Sequence, residues 1–181
     1  MSYEIDQEKL TVDYSHLKEK LERAECASPW QRKRWSWRVN TAYLRLKSDI
    51  ERALYLLELL GVNLCDEDLV EYLTEIGLDT EICEVADALD ATTNAEEVAA
   101  IRKTSSERFN ETVASLAPAF AATLASDAHD VQPLCDLVLR LQYLSNVEQY
   151  CADWRSVLAD EDDSLPHLHP SFFIGSWNFS K

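Results

Sequence analysis

The residues of this chain that are best suited to chemistry are two pairs of carboxylates. Asp68 and Glu71 are three positions apart, and so are Glu84 and Asp87. Residues at this spacing share one face of a helix, so each pair would project its oxygens in one direction. Carboxylates on two adjacent helices can supply the hard oxygen ligands that Mg²⁺ requires. The spacing therefore offers a magnesium site as one interpretation.

The order of these pairs, Asp68-x-x-Glu71 and then Glu84-x-x-Asp87, resembles the MazG-like all-α nucleotide pyrophosphohydrolases, whose two acidic helices hold magnesium. The resemblance extends over about twenty residues, and Asp68 replaces the usual Glu. It implies a magnesium-dependent nucleotide pyrophosphohydrolase with these four residues as the metal ligands. We keep this function as an alternative, with Mg²⁺ as its cofactor.

The same carboxylates belong to a longer acidic stretch. Between Arg52 and Arg102 there are 49 residues without a Lys or Arg, and thirteen carboxylates occur from Glu58 to Glu97. With a net charge of −16, the chain lacks the broad cationic face that direct nucleic-acid binding needs. A surface this acidic faces solvent, binds cations or contacts a basic protein, and a solvated face that serves solubility is the simplest of the three.

Helical spacing places the acids of this stretch in ridges opposite apolar stripes. Like charges so placed repel one another, and interleaved lysines that would relieve the repulsion are absent. Ordered carboxylates can occupy a nucleic-acid-binding groove of another protein or block a basic toxin. We therefore predict a non-enzymatic, acidic protein-binding protein of the inhibitor or immunity type, with a basic partner and no cofactor. Its predicted acidic contact residues are Glu67, Asp68, Glu71, Glu75, Glu81, Glu84, Asp87 and Asp90.

A second unusual segment, from Trp30 to Arg38, mixes tryptophan with arginine and lysine. We expect its tryptophans to be buried, with guanidinium groups lying over them or paired with the acidic helices. If the segment is exposed, Trp35 and Arg34 become contacts for a protein partner, because Trp and Arg are frequent in binding hot spots.

The apolar pattern is helical almost throughout and shows no sustained alternation of period two, which predicts an all-α protein without a sheet. We expect a single-domain bundle of six to eight helices over residues 1–160 and an extended aromatic tail over 161–181. The tail packs on the bundle or on a partner, and a homo-oligomeric scaffold assembled through it is a further alternative. The predicted helices cover 13–24, 29–60, 66–76, 80–92, 94–118, a short alanine-rich segment, and 130–159, and a break of the second helix near 39–41 is an alternative.

Other signals are weak. The five cysteines form no Cys-x-x-Cys pair, so most are expected to be buried core thiols. There is no Gly-rich phosphate loop and no Gly-x-Ser-x-Gly motif. No apolar stretch is long enough for a membrane span, and the N-terminus lacks the pattern of a signal peptide. We therefore expect a cytoplasmic protein that does not bind membranes.

Overall fold

The computed structural model describes residues 3–23, 28–62, 64, 69–92, 94–126 and 130–154, with the backbone alone at 69–71 and 153. This part of the chain forms seven α-helices and no strand, which confirms the all-α prediction and the expected number of helices. The helices are α1 (Gln7–Glu22), α2 (Pro29–Lys47), α3 (Asp49–Leu59), α4 (Leu69–Glu75), α5 (Leu78–Ala91), α6 (Ala95–Ala125) and α7 (Gln132–Asp153). The predicted aromatic tail lies outside the described residues.

The chain divides into two compact units, one formed by residues 1–62 and 116–130 and the other by residues 63–115 and 131–181. The single domain expected for residues 1–160 stays a prediction.

Serine side chains set the helix boundaries of the first unit. Ser28 accepts a hydrogen bond from the backbone N–H of Gln31, and the Gln31 side chain accepts one in return from the backbone of Ser28, so α2 begins with a capping box. Ser48 has an extended backbone and accepts from the backbone N–H of Glu51, which ends α2 and begins α3. The single helix predicted over 29–60 is therefore wrong, and the chain breaks at the capping residue Ser48 instead of at the alternative position near 39–41.

Apolar residues of α3 and of the C-terminal part of α6 are buried in the first unit, among them Ala53, Leu57 and Phe120. A charged side chain is buried with them, since Arg52 is only 5% exposed. Its guanidinium pairs with the Asp49 carboxylate, donates to the carbonyl of Leu46 over 2.6 Å, and lies 4.5 Å from the ring centre of Tyr3.

The second unit has one apolar core, formed by residues of α4, α5, the first part of α6, and α7. From α5 it takes Leu78, Ile82, Ala86 and Leu89, which recur every three or four residues as the sequence pattern requires. Gly77 joins α4 to α5 with φ at 69°, a left-handed conformation that glycine adopts without strain. The turn lets α5 begin at Leu78, two residues before the predicted start.

Two predicted helix ends are wrong. α6 runs through Pro118 to Ala125, although proline lacks the N–H of a helical hydrogen bond. Pro118 is exposed, whereas Leu116 and Phe120 on either side of it are buried, so packing holds the helix together and solvent reaches the proline. α7 ends at Asp153 rather than near 159, because Trp154 has a non-helical backbone.

The cysteines follow the expectation in part. Cys135 and Cys151 are buried, Cys83 is exposed, and the other two lie outside the described residues.

Candidate functional site

The candidate site is the outer face of α5, which we call the acidic face and define as Glu84, Asp87 and Asp90. All three side chains are exposed, and they follow one another at intervals of three residues. Glu84 and Asp87 point away from the core because the buried residues of α5 take up the opposite side of the helix. Of the ridge predicted at Glu81, Glu84 and Asp87, the last two are therefore exposed here, and Asp90 continues the row.

No cation of the described residues neutralises the acidic face. α5 contains five carboxylates and no basic residue. Among the described ion pairs, none includes Glu84, Asp87 or Asp90. Asp90 also lies in the last turn of α5, where the helix dipole disfavours negative charge. The negative charge of this face is thus opposed both by repulsion between its carboxylates and, at Asp90, by the helix dipole.

Glu81 differs from the other acids of α5. Its carboxylate lies 3.1 Å from Arg140 of α7 and 3.9 Å from Arg108 of α6. The side chain is also less exposed than those of its two partners, at 32% against 42% for Arg140 and 56% for Arg108. Glu81 was predicted as a contact residue, but its charge is already paired within the second unit. Sequence reasoning missed both arginines, since no local pattern connects them with Glu81.

A tyrosine adds to the attachment of α5 to α7. The hydroxyl of Tyr143 donates a hydrogen bond to the backbone carbonyl of Glu81 over 3.1 Å. Burial raises the pKa of Tyr143, and the nearby Glu81 carboxylate raises it further. The neutral phenol that the bond requires is therefore favoured. Together with the apolar core, this bond holds α5 in position behind its acidic face.

Of the predicted contact acids in and before α4, the structure describes the side chain of Glu75. Glu75, the last residue of α4, is exposed. Glu71 lies in α4, but its side chain is outside the description, and Glu67 and Asp68 lie outside the described residues altogether. Behind α4, the Tyr72 hydroxyl donates a hydrogen bond to the Asp136 carboxylate of α7. Burial is the main cause that raises the pKa of Tyr72, and the hydrogen bond to Asp136 raises it further.

The alternative magnesium site is described only in its α5 half. Glu84 and Asp87 share the exposed side of α5, whereas the side chains of Asp68 and Glu71 are not described. Within the described residues, no group of three or more His, Cys, Asp or Glu side chains is arranged to hold a metal ion. The four-residue site stays a prediction.

The tryptophans of α2 are exposed, which makes the expectation of buried tryptophans wrong. Trp30 and Trp37 are each 66% exposed, and Trp35 is 51% exposed. The expected guanidinium contacts are present, however: Arg34 lies 5.4 Å from the ring centre of Trp30, and Arg38 lies 5.5 Å from that of Trp35.

The half-buried side of α2 explains why the tryptophans remain outside. It is formed by other residues at helical spacing, namely Arg32, Ser36, Val39, Tyr43 and Leu46. Trp35 and Arg34 therefore lie on an accessible surface in the first unit, where a partner could contact them.

Comparison with known proteins gives one partial match. The family model described as the HSCB C-terminal oligomerisation domain matches residues 80–151, about two fifths of the chain. The matched range begins in α5, includes α6 and ends in α7. No curated protein and no solved structure matches the chain. None of the described helices combines the length and the apolar character needed to cross a bilayer.

Proposed function

We propose that this chain is a non-enzymatic protein-binding module that engages a basic protein through the acidic face of α5. The observation that supports this proposal is the contrast within a single helix. Glu81 is paired with two arginines, whereas Glu84, Asp87 and Asp90 have no cationic partner among the described residues. Carboxylates left unpaired on a firmly packed helix keep their charge available to another molecule.

The physical consequence of such a face is fast and selective association. Ordered negative charge attracts a basic surface over a distance of several ångströms and orients it before contact, while like-charged proteins are repelled. Basic surfaces with a matching groove occur on nucleic-acid-handling enzymes and on basic toxins. We propose that the partner belongs to one of these classes and that binding blocks its basic surface.

The experiment is an affinity capture from the native source with three forms of the immobilised protein. The first is wild type, and the second carries Glu84→Lys and Asp87→Lys. The third is a matched control with Glu111→Lys and Asp13→Lys, which changes the same residue types and the same net charge at exposed positions of α6 and α1. Wild type and control should retain the same basic protein, which elutes with rising salt, and the α5 variant should lose it. Equal retention by all three forms would refute the proposal.

Self-association is a second candidate function, favoured by the description of the matching family model as an oligomerisation domain. In this case the α5–α7 region would contribute to contacts between copies of the chain, and the aromatic tail could add to them. Light scattering after gel filtration measures the mass directly. A multimer that becomes monomeric when residues 165–181 are deleted would support a scaffold assembled through the tail. A monomeric wild-type protein at all accessible concentrations would exclude this function.

A further inference from the structure

The first unit contains a cleft that the proposed function does not use. It lies between the C-terminal part of α1 and the N-terminal part of α2 and has a volume of about 330 Å³. Lys18, Leu21 and Glu22 of α1 line one side, and Arg32, Lys33 and Ser36 of α2 line the other. This volume falls within the range of small-molecule sites in proteins, which begins at about 300 Å³.

The charges around the cleft are of predominantly one sign. Three of the lining side chains are cationic, Lys18, Arg32 and Lys33, and one, Glu22, is anionic. None of the three cations takes part in an ion pair among the described residues. α2 itself carries six basic residues and no acid. In a protein of net charge −16, three cations around one concave site, without an ion pair to any described residue, are a local reversal of the overall charge.

The chemistry of the lining residues matches a phosphate group. A guanidinium such as that of Arg32 can donate two parallel hydrogen bonds to phosphate oxygens, and lysine ammonium groups add compact positive charge. Arg32 is half-buried, so part of it is shielded from solvent. The half-buried Ser36 hydroxyl is a further donor, and Leu21 is an apolar surface for an organic group.

We propose that this cleft binds a small phosphate-bearing molecule. Lys18, Arg32 and Lys33 contact the phosphate oxygens, and the organic part of the ligand lies against Leu21. Glu22 reduces the affinity, because its carboxylate lies beside the same cleft and repels the anion. The site is in the first unit and is independent of the acidic face of α5, so either proposal can fail without the other.

Calorimetric titration of the full chain with AMP and with inorganic phosphate tests the proposal, with sodium chloride of equal ionic strength as the reference. We expect saturable binding of AMP at one site and weaker binding of inorganic phosphate. The double variant Arg32→Gln and Lys33→Gln should weaken AMP binding by at least about tenfold, the loss typical of one charge-assisted hydrogen bond. The control Lys9→Gln and Lys20→Gln removes two exposed lysines of α1 outside the cleft and should leave the affinity unchanged.

Glu22→Gln supplies a readout of the opposite sign. Removing one negative charge a few ångströms from the phosphate should strengthen binding about threefold, an effect that damage to the fold would not produce. If the double variant has less helical signal by circular dichroism, Lys18→Gln takes its place, because Lys18 is exposed. The absence of saturable binding at millimolar AMP, or equal affinity in all variants, would overturn the proposal. Binding only to vesicles containing phosphatidic acid would overturn it as well, because it would indicate a membrane surface instead of a small ligand.

Discussion

Replacing Glu84 with lysine should stabilise the free protein while it removes part of the proposed binding surface. Glu84 is exposed and lies three residues from Asp87, and the two like charges repel. A pair of charges at this spacing contributes about 0.2–0.5 kcal/mol, unfavourable for like and favourable for opposite signs. The substitution therefore removes one repulsion and creates one attraction.

The expected gain follows from counting the neighbours of position 84. Replacing the repulsion at Asp87 with an attraction raises the free energy of unfolding by about 0.4–1 kcal/mol. Glu81, three residues on the other side, adds little, because its charge is already paired with Arg108 and Arg140. Glu and Lys have similar helix propensities, so the backbone contributes almost nothing. We expect a free energy of unfolding higher by roughly 0.5–1 kcal/mol, or a Tm higher by about 1–4 °C for a chain of this size.

Urea denaturation of wild type, Glu84→Lys and Glu111→Lys, each at low and at high salt, measures this difference. Glu111 is a matched control, because its helix neighbours Glu107 and Arg108 have opposite charges. Lysine at position 111 gains an attraction to Glu107 and loses one to Arg108, so the two effects on stability cancel. The gain at position 84 should shrink in 1 M NaCl, where charges on the surface are screened. A Glu84→Lys protein no more stable than the Glu111→Lys protein at low salt would refute the inference that the acidic face is unneutralised.

The remaining predictions concern the contacts that hold each unit together. Arg52→Ala should lower the free energy of unfolding by about 2 kcal/mol, because it removes a buried guanidinium from its ion pair with Asp49, whose side chain is 37% exposed; a loss below about 1 kcal/mol in urea denaturation would contradict the assigned burial. Tyr72→Phe should cost about 1 kcal/mol through the lost bond to Asp136, and an unchanged stability would argue against that bond. Because the pKa of Tyr72 is raised in the folded state, its contribution to stability is fully present below about pH 10 and is lost as the pH rises above that value. The free energy of unfolding of the wild type should therefore fall more steeply with pH than that of Tyr72→Phe, which unfolding at pH 9, 10 and 11 will measure. Glu81→Gln should cost only about 0.5–1 kcal/mol, because its ion pairs are partly exposed, and a much larger loss would mean that Glu81 is more deeply buried than described.

The helices themselves could be predicted from the sequence because their signals are local. The apolar residues of α5 recur at helical spacing, and Ser28 followed by Pro29 marks the beginning of α2. The prediction ended α6 at Pro118, because a proline destabilises a helix interior. The helix continues to Ala125, since the packing of the residues on either side of the proline outweighs that cost. Ser48 could have been recognised as a cap from its sequence position, because Asp49 and Glu51 follow it in the first turn of α3.

The state of individual charges and aromatic rings could not be predicted from the sequence. Glu81 and Glu84 are both acids of one ridge, yet in the described part of the chain Glu81 pairs with arginines and Glu84 does not, because α6 and α7 bring Arg108 and Arg140 to Glu81. The exposure of Trp37 depends likewise on which side of α2 faces the rest of its unit. Such partners are set by helix packing, which the periodicity of a single helix does not encode.

The central claim, that the acidic face of α5 binds a basic protein, is tested most directly by the salt dependence of affinity for the purified captured partner. Fluorescence anisotropy at 50 to 500 mM NaCl would give the Kd of wild type, of Glu84→Lys with Asp87→Lys, and of Glu111→Lys with Asp13→Lys. Binding through the acidic face requires the wild type and the control to lose affinity steeply and equally as salt rises. The α5 variant should bind at least about tenfold more weakly at low salt and show a flatter salt dependence. Three coincident curves, or a Kd that is independent of salt, would contradict it.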